Sequence, residues 1–88
     1  MNEATAMSTI ESVFKETVDR NEMYRIEHNP GHDGGLCIEM SGIYNNQFSR
    51  AEFNIHHTMM ILLDEEIVQH IVRIFIQKFR TARGRISP

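Results

Sequence analysis

The segment from Leu36 to Ile55 constrains this chain most, because two runs of alternating apolar residues flank a turn that fits a single register. Leu36, Ile38 and Met40 repeat with period two, as do Ala51, Phe53, Ile55 and His57, and that period marks strands with one buried face. Asn45-Asn46, read as a two-residue type I′ turn, sets Tyr44 opposite Gln47. Met40 then faces Ala51, Ile38 faces Phe53 and Leu36 faces Ile55, so every inward pair is apolar. A slip of one residue would turn all of these side chains to the other face, which fixes the register strongly. The outer face of the same hairpin pairs Ile43 with Phe48 and Glu39 with Glu52.

The rest of the chain is arranged around this hairpin. Tyr24, Ile26 and His28 alternate with Met23, Arg25 and Glu27 and predict a first strand, ended by turn residues at Asn29-Pro30-Gly31 and Asp33-Gly34-Gly35. Ahead of it, Ser8-Thr9-Ile10-Glu11 reads as a capping box, in which serine and glutamate side chains satisfy backbone N–H groups of the first turn. Ile10, Val13, Phe14 and Val18 follow at helical spacing, predicting a helix from about Ser8, or a turn earlier, to Arg20 that stops at Asn21. A last helix is predicted from about Asp64 to Arg83, with acids in its first turn and bases in its last, as the helix dipole prefers. Its inward stripe is Ile67, Val68, Ile71, Val72, Phe75 and Phe79, which leaves Ile74 and Ile76 outside it; Gly84 to Pro88 is expected to fray. The expected fold class is α+β. The order is α-β-β-β-α, one domain over residues 1–88 with an ordered core of about 8–83. Its three-stranded antiparallel meander carries both helices on one face.

Charge is unevenly spread. Residues 1–69 carry twelve acids against Lys15, Arg20, Arg25 and Arg50, a net of −8, while residues 70–88 carry Arg73, Lys78, Arg80, Arg83 and Arg85 with no acid, a net of +5. Unlike ends of this kind favour self-association or a charged partner. Met59-Met60-Ile61-Leu62-Leu63 is the longest apolar run and is too short to span a bilayer, so no membrane partner is expected. Cys37 is the single cysteine, which excludes an intrachain disulfide and makes a reducing, cytoplasmic setting the expectation. No basic and apolar leader is read at the N-terminus.

No residue set amounts to a catalytic or cofactor signature. His28, His32 and Cys37 have metal-like spacing, but the predicted register puts His28 and His57 on strands that are not neighbours. The outer group of His32, Cys37 and His56 lacks a fourth ligand, so no metal or cofactor is expected. A Cys37–His56 pair lacks an oxyanion hole and an orienting third group, and Glu39 with Glu52 are like charges rather than an acid/base dyad. Gly31, Gly34 and Gly35 do not lead into a helix and so form no phosphate cradle. Enzyme activity is therefore not expected.

Two binding functions remain. Arg73, Lys78, Arg80, Arg83 and Arg85 would suit nucleic-acid phosphates. The α-β-β-β-α order is similar to that of double-stranded-RNA-binding domains. That family opens its second helix with lysines, where this chain has Asp64-Glu65-Glu66, an acidic patch that would repel RNA. The preferred expectation is a protein-interaction domain, an acidic inhibitor or adaptor that docks on another macromolecule. Small inhibitors encoded by phages are an analogy at the level of fold and composition only. Ile43, Tyr44 and Phe48 would anchor the partner, and Glu22, Glu27, Glu39, Glu52, Asp64, Glu65 and Glu66 would steer it. Ile74 and Ile76 would form the seam of a homodimer.

Overall fold

The computed structural model describes residues 1–29 and 34–86, the last four of these as backbone only. Its order is α1 (Glu3–Thr17), β1 (Glu22–His28), β2 (Leu36–Tyr44), β3 (Gln47–Ile55), α2 (His57–Leu62) and α3 (Glu65–Ile86). The three strands form an antiparallel meander, β1-β2-β3. The expected hairpin register holds in full, with Tyr44 opposite Gln47, Met40 opposite Ala51 and Leu36 opposite Ile55. Asn45 and Asn46 take φ of 52° and 65°, the left-handed pair that a type I′ turn requires. The predicted turn at Asn29-Pro30-Gly31 lies, beyond Asn29, outside the described residues.

One core joins both long helices to one face of the sheet. Ala6, Ile10, Val13 and Phe14 of α1 meet Leu36, Ile38, Met40 and Ile55 of the sheet and Val68, Val72, Ile76 and Phe79 of α3. Phe14 stacks on Tyr24 with centroids 4.9 Å apart, and Phe53 packs against Phe75 at 4.6 Å. α1 thus lies over β1 and α3 over β3.

Five local expectations are corrected. α1 begins five residues before Ser8. Asn2 is its cap, with Oδ1 accepting from the Thr5 N–H at 2.8 Å, while Ser8 lies in the helix interior. The helix ends at Thr17 rather than Arg20, and Val18 is extended at φ −69°, ψ 141°. A tertiary contact attends this stop: the Arg80 guanidinium donates to the Thr17 carbonyl at 2.6 Å, satisfying a group the last turn leaves open. Strand three ends at Ile55, and His57 opens the unforeseen helix α2, whose Met60 is buried in the core. Ile76 is 2% exposed and belongs to the core, whereas Ile67, assigned inward by its spacing, is exposed. α3 continues as helix to Ile86, through part of the tail expected to fray.

Candidate protein-docking surface

The face of the sheet turned away from the helices carries Met23, Arg25 and Glu27 from β1. β2 adds Cys37, Glu39, Ser41 and Ile43, and β3 adds Phe48, Arg50, Glu52 and Asn54. Its centre is an ionic lattice. Glu39 lies 3.0 Å from Arg50 and 3.5 Å from Arg25; Arg50 also meets Glu52 at 3.4 Å, and Arg25 meets Glu27 at 3.3 Å. The like-charged neighbours Glu39 and Glu52 are tolerable because Arg50 bridges them. Both carboxylates were expected to steer a partner, and both are instead engaged in ion pairs.

The hairpin end of this face is apolar. Ile43 is 56% exposed and Phe48 63%, a directly opposed pair that no element among the described residues covers. Met23, 65% exposed, pairs with Ser41, which makes it the diagonal neighbour of Ile43. Met23 is missing from the sequence-derived site, although its alternation with Arg25 and Glu27 already set it on the outer face. Phe48 also lines a groove of about 550 Å³ between β3 and α3, which continues over Ala51, Phe75, Lys78 and Phe79. The small side chains Ser49 and Ala51 on the inward row of β3 leave that space.

Tyr44, the third expected anchor, is turned inward. Gly42 has no side chain, so the Tyr44 ring folds over it; a Cβ there would stand 2.7 Å from the Tyr44 hydroxyl oxygen. The hydroxyl donates to Glu22 Oε2 at 2.5 Å, and the ring meets Phe79 edge-on at 5.9 Å. Burial pushes the phenol up, and its hydrogen bond to the Glu22 carboxylate pushes it further.

Glu22 is a buried structural acid rather than a steering charge, its side chain 1% exposed. Arg80 binds it through two nitrogens, at 3.0 Å and 2.5 Å, and the Asp19 N–H donates to it at 2.9 Å. Burial opposes ionisation of Glu22, but the bonds from Arg80, Tyr44 and Asp19 outweigh burial and hold its carboxyl down to about 2. The same bond to Glu22 holds the Arg80 guanidinium above its ordinary range. Sequence patterning gave no signal for this, because Glu22 precedes the first alternating residue and Arg80 reads as one more base of the terminal run.

The remaining expected residues are dispersed. Asp64 caps α3, accepting from the Ile67 N–H at 2.9 Å, and Glu65 and Glu66 are exposed in the first turn. Arg73 lies 3.8 Å from Glu16, and Lys78 is exposed. The Arg83 and Arg85 side chains lie outside the described residues, as does His32. Ile74 faces outward, as its spacing implied, without Ile76 beside it.

His28 and His57, expected apart, converge on one carboxylate. Glu3 Oε2 lies 3.0 Å from His28 and Oε1 lies 3.9 Å from His57, while Oε1 also accepts from the Gly35 N–H at 2.8 Å. That backbone bond is the main cause that lowers the Glu3 carboxyl, with both histidines adding to it. Among the described residues, no group of three or more His, Cys, Asp or Glu is placed to hold a metal ion. The Cys37 thiol is pushed up, first by burial and then by Glu52, whose carboxylate is 3.8 Å away, the reverse of what activates a nucleophile. No helix among the described residues is long and apolar enough to cross a membrane. Comparison with protein-family models, curated proteins and solved structures finds no match.

Proposed function

We propose that this chain is a non-enzymatic protein-interaction domain, an inhibitor or adaptor that docks on another protein through the hairpin end of its sheet. The observation that carries the reading is the exposed trio Met23, Ile43 and Phe48 on a sheet face that no other element among the described residues covers. Apolar side chains grouped on a rigid strand pair, with a polar and ionic rim, have the layout of an interface centre. Phe48 stands at the mouth of the groove against α3, where a partner's apolar side chain finds Phe75 and Phe79. The excess of acids in residues 1–69 steers a partner with positive surface, although Glu22, Glu39 and Glu52 contribute less than their number suggests.

Capture of partners from lysate with and without nuclease, followed by titration of wild type and Phe48→Ala, tests this. A discrete protein that survives nuclease and binds the variant at least about fivefold more weakly supports the reading, since truncating an interface anchor costs more than about 1 kcal/mol. Equal affinity for the variant removes the hairpin from the interface. Recovery of nucleic acid instead would transfer the function to the basic end of α3.

A further inference from the structure

β3 is an edge of the sheet, nine residues long against seven for β1. Tyr44 and Gln47 close the two-residue hairpin as a hydrogen-bonded pair, so residues 47, 49, 51, 53 and 55 direct their backbone groups at β2. Bonds beside β1 give the same parity. The Ile43 N–H donates to the Asn21 carbonyl and the Asn29 N–H to the Gly35 carbonyl, so odd residues of β2 serve β1 and even ones serve β3. The N–H and C=O groups of Phe48, Arg50, Glu52 and Asn54 therefore point away from the sheet, and no element among the described residues pairs with them. Such a row is a template for one more strand. On the helix side the groove of about 550 Å³ runs along this edge, where Ser49 and Ala51 fill little space beside Phe75 and Phe79.

Charge and size indicate which strand fits. An antiparallel neighbour needs an acid opposite Arg50, a base opposite Glu52 and a small residue between them, where the two backbones approach most closely. β3 itself meets these needs. Turned about a twofold axis at Ala51, a second copy sets its Glu52 opposite Arg50 and its Arg50 opposite Glu52, all on the outer face. Glu52 is half exposed and its contact with its own Arg50 is loose at 3.4 Å, which leaves its oxygens able to accept from the other copy. Ala51 meets its counterpart at the axis, and the half-buried Phe53 of each copy stands beside the small Ser49 of the other, at the groove. The register also joins Phe48 to Asn54 through their outward backbone groups, so four residue pairs exchange about eight hydrogen bonds. An axis one residue away, at Arg50 or Glu52, would oppose like charges. We propose that this chain forms a twofold homodimer in which β3 pairs antiparallel with β3 of a second copy, centred on Ala51, joining the two sheets into one. The trio Met23, Ile43 and Phe48 stays on the open outer face, whereas a docking partner that reaches into the groove competes with pairing.

Sedimentation velocity of the full chain, from about 5 µM to about 500 µM, reads the association, and a dimer is expected within that range. Glu52→Arg sets arginine against Arg50 across the seam but opposite Glu39 within its own chain. It should weaken the dimer at least about fivefold while circular dichroism shows the fold unchanged. Adding Arg50→Glu restores opposite charges at the seam and with them the dimer. A disulfide reads the axis. In a Cys37→Ser background, Ala51→Cys brings two thiols together where Cα atoms lie about 4.5 Å apart, and mild oxidation links the copies. Asn54→Cys, placed opposite Phe48, does not link. A chain still monomeric at about 500 µM leaves the edge to a strand of another protein and overturns the proposal. So does a dimer that Glu52→Arg leaves unchanged, a folded double variant that stays monomeric, or failure of Ala51→Cys to link.

Discussion

Replacing Glu22 by Gln isolates a buried charge that ties β1 to α3, β2 and the link after α1. Its carboxylate gathers Arg80 of α3, Tyr44 of β2 and the Asp19 N–H, and the same Arg80 reaches the last carbonyl of α1. The carboxyl is held at about 2 in the fold against an ordinary value of 4.5. At 1.36 kcal/mol per unit, that difference is about 3 kcal/mol in favour of the folded state. A folded value below the unfolded one fixes the sign. The stabilisation is complete above the unfolded value of 4.5 and is lost as pH falls toward about 2. A domain of this length is stable by roughly 5–10 kcal/mol, so the term decides whether it stays folded in acid. Urea unfolding of wild type and Glu22→Gln at several pH values from about 7 to about 2.5 measures it. The variant is expected to be less stable at neutral pH by about 3 kcal/mol, a gap that narrows steadily below about pH 4.5. A constant fixed offset reflects a lost hydrogen bond; the pH-dependent part belongs to the charge. A gap that stays the same from neutral pH to about 2.5 would refute the depressed carboxyl and the pairing behind it.

Three further perturbations follow from the same geometry. Gly35 has φ +96° and a Cβ there would meet the Ile55 carbonyl oxygen at 2.2 Å, so Gly35→Ala should lower stability by about 2 kcal/mol or more in urea titration. Gly42→Ala displaces the Tyr44 ring from above residue 42. It should break the bond to Glu22 and cost about 1–3 kcal/mol, with a changed near-ultraviolet spectrum of tyrosine; an unchanged spectrum and melt would mean the ring does not lie there. Cys37 should alkylate more slowly than a free thiol at neutral pH, and Glu52→Gln should speed it, because burial and the Glu52 charge both disfavour the thiolate. Fast alkylation would reopen a nucleophilic role.

What was legible in the sequence follows from the range of the forces involved. The hairpin could be read residue by residue because turn chemistry and period two act over neighbours and agree, so Asn45-Asn46 and the row Leu36, Ile38 and Met40 specify one register. The outward positions of Ile43, Phe48 and Ile74 followed from the same local periods. Helix ends were less legible because competing caps lie close together. Asn2 takes the cap from Ser8, and Thr17 ends α1 where Arg80, sixty-three residues away, reaches its carbonyl. α2 escaped because a six-residue helix with one buried side chain has too few turns to show a period.

Charge was the least legible quantity, and this changes what the site can do. A count of residues cannot distinguish Glu22, sealed under Arg80 and Tyr44, from Glu66, which stands in water. Tyr44 and Arg80, assigned from sequence to opposing hypotheses of protein docking and nucleic-acid binding, are partners in one internal cluster. Their loss from both surfaces is unequal in effect. The proposed docking face keeps Ile43 and Phe48 and gains Met23, so its apolar centre is intact. The basic face loses the Arg80 charge to Glu22, and its Arg73 lies beside Glu16, which leaves Lys78 as its unpaired cation among the described side chains. Phosphate binding draws its strength from the number of side-chain cations free to displace counterions from the phosphates, and Arg80, sealed against Glu22, is not one of them.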